Sequence, residues 1–392
     1  MSRTKVIAGL SALCMLAFGA ACSSDPEVVE KIVEVEKEVE VIKEVEVVKE
    51  QRIVSYNFAE FVHTTQSSYV DIVKPFLREE FPGLAAAALP DVTLEPNYLT
   101  HAELGLTGFE TFKLIQQGLQ DIAWFSYAYT GGAVPLTEGV DIATFGSDWK
   151  NAQQIGKTWM PVVNDAVFEP DYGVRVQATY PAPQLTFFCN SPVTSIDDFK
   201  GKKVRVWSTL LSDFLESVGG EGVSLAFAEA YNALQTGVVD CGLTGSSSAN
   251  SNKWYEVTSH QYTLAPGWFV SGYMVNADFW NSLDDDVRTF FADQMIGEIG
   301  DRIWEYEGEV SSIQGIECNA GTDNCTLESL TKVPADQALI TTAPSDADLA
   351  KLDEALMNTV LPRWVERCEE SGQPCKDLFN EHLAPLAGFS AS

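Results

Sequence analysis

Side chains that could carry covalent or metal chemistry are few and widely separated in this chain. The four histidines are His63, His101, His260 and His382, and they are scattered along the chain outside any common metal-binding or catalytic motif. The patterns H-E-x-x-H, C-x-x-C, G-x-S-x-G and the Walker loop do not occur. The sequence therefore predicts no catalytic centre, no metal site and no cofactor.

The cysteines indicate a different chemistry, which is oxidation to disulfides. Six remain beyond the amino-terminal 22 residues, an even number, as is usual in exported chains: Cys189, Cys241, Cys318, Cys325, Cys368 and Cys375. Cys318 with Cys325 and Cys368 with Cys375 are each predicted to close a short loop rich in turn-forming residues. Cys189 is then left for Cys241, closing a loop of about 50 residues. Free buried thiols are the alternative.

The first 21 residues have the composition of a secretory signal. Arg3 and Lys5 precede an almost wholly apolar stretch at 6–18, which is shorter than the roughly 20 residues of a permanent span. Residues 19–22, G-A-A-C, resemble a bacterial lipoprotein box, which implies cleavage before Cys22 and lipidation of its thiol. An ordinary signal with an incidental cysteine is the alternative.

Residues 22–51 form a predicted acidic tether. From residue 30 a six-residue pattern repeats as E-K-I-V-E-V, E-K-E-V-E-V and I-K-E-V-E-V. The period fits strand alternation and, in part, a heptad seam, and the sequence leaves both open. The density of glutamates favours an extended spacer, which would keep the body off the membrane, over an oligomerisation coil.

The charge balance excludes one class of partner. The chain has 56 acidic and 25 basic residues and a formal net charge of −31. Binding to nucleic acid requires clustered Lys and Arg to neutralise phosphates, so nucleic acid is not a predicted partner. The hydrophobic content of 45% is sufficient for a packed core, so the body should fold.

The body alternates strands and helices, as α/β folds do. We predict a strand over 53–58, then a helix over 69–81 that is stopped by Pro82 and Gly83, and a second strand over 92–96. A later helix is predicted to start with Ser282 as its cap and to continue for more than 20 residues.

Two segments of the body repeat one pattern. In the first, a helix at 109–117 ends at a glycine and is followed by L-Q-D and a short strand at 122–125. In the second, a helix at 227–236 ends at a glycine and is followed by V-V-D and a strand at 241–244. Two α/β lobes that each present the carboxyl end of a strand would form a crevice where ligands of open α/β sheets bind. The recurrence alone is only suggestive.

Two sequence blocks carry a family resemblance. D-D-F-K-G-K-K-V-R-V at 197–206 and A-Y-N-A-L-Q-T-G-V-V-D at 230–240 are similar to those of the substrate-binding proteins of tripartite ATP-independent periplasmic (TRAP) transporters, DctP-type. The resemblance covers most of residues 53–310. It implies a two-lobed periplasmic binding protein fold, type II-like, with hinge strands and a long helix spanning both lobes. We predict lobe I at 52–182 plus 270–309 and lobe II at 183–269 plus 310–392.

In the family, the arginine of the G-K-x-V-R-V strand pairs with the ligand carboxylate, and the matching residue here is Arg205. A planar guanidinium can bind a carboxylate through two parallel hydrogen bonds, which agrees with that role. A structural ion pair is the alternative. By the same matching, further residues fall on or near pocket positions, although each could equally be core: Trp207, Phe227, Thr244, Phe125 and Trp268.

One departure from the family narrows the expected ligand. Several relatives that bind sialic acid or dicarboxylates carry a second arginine about 20 residues before the first, where this chain has Gln184 and its neighbours. Glutamine donates and accepts hydrogen bonds but supplies no charge. A monocarboxylate with an apolar or aromatic body therefore fits better than a dicarboxylate.

The resemblance implies a non-enzymatic binding protein, lipid-anchored in the periplasm or on the outer face of the cytoplasmic membrane. It would capture a small organic acid by lobe closure and deliver it to the small and large TRAP membrane subunits, driven by an ion gradient. Three alternatives stay open: a binding protein of an ATP-driven importer, a periplasmic enzyme, and a surface interaction or sensor protein.

Overall fold

The computed structural model describes residues 51–392. The predicted signal at 1–21, the lipidation site Cys22 and the tether up to residue 50 lie outside the described residues. Within residues 51–392, no helix is both long and apolar enough to cross a membrane.

The strands of the described residues alternate with helices along most of the chain. They are β1 (Arg52–Ala59), β2 (Val92–Leu99), β3 (Ile122–Ser126), β4 (Val174–Pro181), β5 (Leu185–Cys189), β6 (Lys203–Val206), β7 (Glu221–Ser224), β8 (Cys241–Gly245), β9 (His260–Tyr262), β10 (Val270–Asn276) and β11 (Ile340–Thr342). One sheet has the order β2-β1-β3-β10-β4 and the other has the order β11-β9-β5-β8-β6-β7.

The helices flank both sheets. Those before β4 are Tyr69–Val73, Phe76–Glu80, Phe81–Ala88, His101–Leu104, Thr111–Gln116, Tyr127–Thr130, Pro135–Glu138, Gly139–Ala143, Trp149–Val163 and Asn164–Tyr172. Those between β5 and β10 are Ile196–Phe199, Thr209–Ser217, Phe227–Gln235, Ser246–Ser251 and Trp254–Glu256. Those after β11 are Asp346–Ala355, Leu356–Val360, Leu361–Glu370, Cys375–Leu378, Phe379–Leu383 and Ala384–Ala387.

The central strands are apolar because both of their faces are covered. Every residue of β3, β5, β8 and β10 is buried, as expected for strands with helices on both faces of the sheet. The edge strand β2 is more exposed and contains Pro96, a residue that edge strands tolerate because it lacks an N–H group.

The chain passes between the sheets at three places. Residues 182–184 connect β4 to β5, residues 263–269 connect β9 to β10, and a long run of helix precedes β11. The first two connections lie next to the lobe boundaries placed at 182/183 and 269/270. The lobe boundaries themselves stay a prediction.

We call the long run at 285–319 the spanning helix. Ala277–Ser282 precedes it, and its consecutive segments are Asp285–Phe290, Phe291–Gly297, Glu298–Tyr306, Glu307–Ser311 and Ser312–Asn319. Its segment Glu298–Tyr306 packs on β4 of the first sheet. Its last segment packs on the helix Ser246–Ser251, which follows β8 of the second sheet. Gly315 permits the second contact, because a Cβ there would lie 2.2 Å from the backbone nitrogen of Ser247. The prediction of a helix that reaches both lobes is confirmed.

Two predicted helix boundaries are wrong. Ser282 does not cap the spanning helix: it ends the preceding short helix, where its hydroxyl donates to the carbonyl of Phe279, and Asp284 is the N-cap. Pro82 does not stop the helix after β1, because it lies in the first turn of Phe81–Ala88, where a missing N–H costs little.

The three predicted disulfides are formed: Cys189 with Cys241, Cys318 with Cys325, and Cys368 with Cys375. Cys189 and Cys241 are direct cross-strand partners in β5 and β8, and both side chains are buried. This bridge therefore reinforces a pairing that the sheet already makes.

The carboxyl-terminal helices contact a residue between β3 and β4 and a residue between β6 and β7, so they reach elements next to each sheet. Trp364 donates its indole N–H to the carbonyl of Pro135, at 2.8 Å. Arg363 and Arg367 pair with the largely buried carboxylate of Asp213, in the helix after β6, at 2.8 and 2.6 Å. The prediction that residues 310–392 belong to lobe II gives no account of the contact with Pro135.

Candidate ligand-binding cavity

A cavity lies between the two sheets. It contains about 560 Å³ of space that no atom occupies, counting its open mouth. Trp124 of β3, Tyr180 of β4 and Ser271 of β10 line one side, and Arg205 of β6 and Thr244 of β8 line the other. Both sheets therefore contribute side chains to one enclosed space.

The repeated helix-glycine-strand pattern positions the two strand ends. Gly118 and Gly237 adopt positive φ of 67° and 72° after their helices, a conformation that glycine takes without a steric penalty. The carboxylates of Asp121 and Asp240 then each accept a backbone N–H at 2.8 Å, from Asn57 of β1 and from Lys203 of β6 respectively. The pattern that recurs in the sequence is thus accompanied by the same type of backbone hydrogen bond in both places.

Arg205 is the most constrained polar side chain in the cavity wall. It is 1% exposed. Nε donates to the carbonyl of Leu225 at 3.0 Å, and Nη1 donates to the carbonyl of Leu243 at 2.9 Å. These two bonds fix the guanidinium plane. Nη2 is shielded from solvent and has no hydrogen-bond partner.

The surroundings of Arg205 favour a charged partner. Burial lowers its pKa, while the nearby Tyr129 hydroxyl and the Glu229 carboxylate oppose that shift; an arginine keeps its charge in proteins. The Tyr129 hydroxyl lies close enough to interact with the guanidinium of Arg205, but no hydrogen bond joins it to Nη2. The guanidinium carbon lies 5.1 Å from the ring centre of Trp207 and 5.8 Å from that of Phe227. A desolvated cation with one unused donor, held between aromatic rings, can bind an anion strongly.

Four of the seven residues predicted to line the pocket lie together in the cavity wall: Arg205, Trp207, Phe227 and Thr244. They come from β6, the residue after it, the first position of the helix after β7, and β8. Their proximity follows from the pairing of β6 with β8 in parallel register. Their role as ligand contacts stays a prediction.

The other three predicted residues lie elsewhere. Phe125 is buried behind β3 against Tyr127, because neighbouring residues of a strand face opposite ways. Trp268 donates its indole N–H to the carbonyl of Ser147 at 3.0 Å and is absent from the cavity lining. Gln184 lies in the connection between β4 and β5, where its backbone N–H donates to the hydroxyl of Ser312.

Two of the cavity residues that the sequence reasoning missed are immediate neighbours of residues that it chose. Trp124 and Phe269 line the cavity instead of Phe125 and Trp268. Strand alternation could have suggested Trp124 if it had been known which side of β3 lines the cavity. Glu307, which also lines the cavity, left no such signal.

Glu307 is a fully buried acid on the spanning helix. The Ser68 hydroxyl donates to Oε1, while Oε2 has no hydrogen-bond partner and no access to solvent. Burial raises the pKa of Glu307 to about 7, with a further contribution from the charge of Asp71, while the hydroxyls of Ser68 and Ser311 oppose the shift. Its segment, Glu307–Ser311, is a π-helical turn within the spanning helix.

This raised pKa predicts a pH-dependent cost to stability. Below pH 4.5, the ordinary value, Glu307 is protonated in both the folded and unfolded states. As the pH rises towards 7, the unfolded state ionises first, so the free energy of unfolding should fall by about 3 kcal/mol because of this group. Urea denaturation at pH 4.5 and 7.5 should show a fall that is larger, by that amount, in the wild type than in Glu307→Gln. Parallel pH profiles for the two proteins would contradict the prediction.

A cavity between two α/β lobes, with a buried cation in its wall, defines the class of two-lobed solute-binding proteins. The profile of the family described as bacterial extracellular solute-binding protein, family 7, also named DctP, matches residues 99–309. The chain belongs to this family, which confirms the family prediction. The family consists of solute-binding receptors, not enzymes. Within the described residues, no group of three or more His, Cys, Asp or Glu side chains could hold a metal ion.

Curated relatives match parts of the chain. The ectoine-binding periplasmic protein TeaA of Halomonas elongata is 25% identical over 221 residues, 56% of this chain and 60% of TeaA. The C4-dicarboxylate-binding periplasmic protein DctP of Rhodobacter capsulatus is 39% identical over 101 residues, 26% of this chain and 30% of that protein. The matches thus span less than two thirds of either relative.

Solved structures share the fold. A TRAP periplasmic solute-binding protein from Desulfovibrio salexigens, with bound orotic acid, superposes with a TM-score of 0.68 at 22% identity, covering 85% of this chain and 99% of that one. DctP7 of Bordetella pertussis, a receptor binding pyroglutamic acid, gives 0.67 at 18% identity, covering 83% and 99%. A marine metagenome protein specific for aromatic acids, with 3-hydroxybenzoate, gives 0.68 at 17%, covering 86% and 98%. The predicted two-lobed α/β fold is confirmed.

Proposed function

We propose that the protein captures a small organic acid between its two lobes, with the ligand carboxylate on Arg205. The observation that carries the proposal is the unused Nη2 donor of a buried arginine in the wall of a cavity shared by both sheets. A buried donor without a partner is costly, and a carboxylate oxygen would remove that cost. The acids bound by the structural neighbours named above support the same ligand class.

The cavity favours a monocarboxylate with an apolar or aromatic body. Among the described residues that line it, Arg205 is the only Lys or Arg. A dicarboxylate would therefore bring a second negative charge to a wall with no second cation. The rings of Trp124, Trp207 and Phe269 offer apolar surface for the remainder of the ligand.

Calorimetric titration with paired ligands tests the proposal. The panel contains benzoate, 3-hydroxybenzoate, pyroglutamate, cyclopentanecarboxylate and succinate, with benzamide as the neutral partner of benzoate. We expect at least one monocarboxylate to bind tightly, more tightly than succinate, and benzamide not to bind. Equal affinities for an acid and its amide would overturn the proposal, because a site built around a buried cation must discriminate between them.

The proposal extends to delivery and location. A bound ligand that touches both lobes would stabilise the closed form, which the small and large TRAP membrane subunits would recognise. The protein would be anchored at the membrane surface through lipid on Cys22, with residues 22–51 as the tether. Mass spectrometry of the mature amino terminus checks the anchor: an unmodified Cys22, or its absence from the mature chain, would refute it.

A further inference from the structure

We propose that the cavity selects acids that also carry a hydrogen-bond donor, with Glu307 accepting from that donor while Arg205 binds the carboxylate. The inference rests on the proposed function and narrows its ligand class. The donor would be an O–H, an N–H or a protonated nitrogen on the body of the ligand.

Two unpartnered atoms of opposite polarity carry the inference. Arg205 Nη2 is a buried donor and Glu307 Oε2 is a buried acceptor, and both side chains line the same cavity. Neither atom satisfies the other, since both lack any hydrogen-bond partner. Buried polar groups are nearly always paired in folded proteins, so two such exceptions in one cavity require an explanation. A ligand with one acceptor end and one donor group satisfies both.

The two side chains are fixed by different parts of the fold. The carbonyls of Leu225 and Leu243 hold the guanidinium of Arg205 in the sheet that contains β6. Ser68, from the helical region after β1, donates to Oε1 of Glu307 and so leaves Oε2 as the free acceptor of the carboxyl group. Each group is therefore oriented before any ligand arrives, which reduces the entropy lost on binding.

Selectivity follows from the cost of leaving Oε2 unpaired. An acid that lacks the donor fills the cavity but keeps Oε2 buried without a partner, as it is in the free protein. An acid with the donor gains a hydrogen bond to a carboxylate, which is stronger than one between neutral groups. The hydroxyl of Tyr180 is also buried, unpartnered and in the cavity lining, and can serve either role.

Calorimetry at pH 8.5 with two matched pairs tests the inference. Each pair differs in one donor group: a hydroxyl in 3-hydroxybenzoate against benzoate, and a protonated ring nitrogen in L-proline against cyclopentanecarboxylate. We expect the wild type to prefer the donor-bearing member of at least one pair by roughly ten- to a hundredfold. In Glu307→Gln that ratio should fall several-fold, and in Glu307→Leu it should approach one.

Glu309→Gln provides the matched control, because Glu309 is an exposed glutamate two residues further along the same helix. It should keep the wild-type ratio. Equal affinities within both pairs, or a preference that survives both Glu307 substitutions, would overturn this inference while leaving the proposed function intact. If no acid of either pair or of the wider panel binds the wild type, the proposed function fails and this inference fails with it.

Discussion

Replacing Arg205 with alanine is expected to lower the affinity for carboxylate ligands by roughly 30-fold to several thousandfold, corresponding to about 2 to 5 kcal/mol. The guanidinium is 1% exposed, so water cannot take its place at the ligand carboxylate without rehydrating the cavity. The substitution also leaves the anion facing the rings of Trp207 and Phe227, whose faces carry negative potential. Titration of the best-binding acid of the panel measures the loss.

Stability measurements and two further variants separate this role from a purely structural one. Arg205→Ala also leaves the carbonyls of Leu225 and Leu243 without a donor, so thermal unfolding of each variant must be measured beside its affinity. Arg205→Lys keeps the charge but loses the planar fork, and we expect intermediate affinity. Lys203→Ala, at the exposed first residue of the same strand, should bind like the wild type. Unchanged affinity in a folded Arg205→Ala protein would remove Arg205 from the site.

The family resemblance implied a pocket position for Arg205, and local features of the chain bring its side chain to the cavity wall. The strand containing it, the helix that follows and the glycine-ended helix before β8 each carry a recognisable pattern, and β6 pairs with β8 directly. Thr244 and Phe227 adopt their places for the same reason. Residues fixed by neighbouring elements within one sheet were therefore predictable.

Residues whose side-chain direction depends on packing against the other sheet were not predictable in this way. Trp124 and Phe125 are adjacent in β3, and a strand sequence buried on both faces does not show which of them meets the cavity. The same ambiguity affects Trp268 and Phe269 in the connection between β9 and β10. Glu307 was hidden for a different reason: in a chain with 56 acidic residues, only the tertiary packing singles out one that is buried.

The net charge of −31 bears on how the ligand is recognised. A strongly acidic surface repels an approaching anion, although salt limits that repulsion to about 8 Å at physiological ionic strength. Attraction must therefore come from contacts inside the cavity, where the low dielectric strengthens the field of a single guanidinium. Among the described lining residues, a second carboxylate would meet Glu307 and no further cation, so the cavity discriminates against it.

Removing the Cys189–Cys241 disulfide should have the largest effect on stability among the three bridges. Its cysteines are 52 residues apart, whereas those of Cys368–Cys375 are 7 apart. In the chain-entropy model, the long loop contributes about 4 kcal/mol to the free energy of unfolding and the short loop about 2 kcal/mol. All four side chains are buried, so paired alanine substitutions create comparable cavities and leave loop length as the main difference.

Urea denaturation of the two double-alanine variants measures the contrast, with Cys189→Ala/Cys241→Ala expected to be the less stable. The closed loop contains β6 and β7, and hence Arg205 and Trp207. Because Cys189 and Cys241 face each other across the β5–β8 ladder, the strands should still pair in the folded variant, and ligand affinity should change much less than stability. Equal losses in the two variants would show that native-state strain or residual structure in the unfolded chain, rather than loop length, sets the contribution of each bridge.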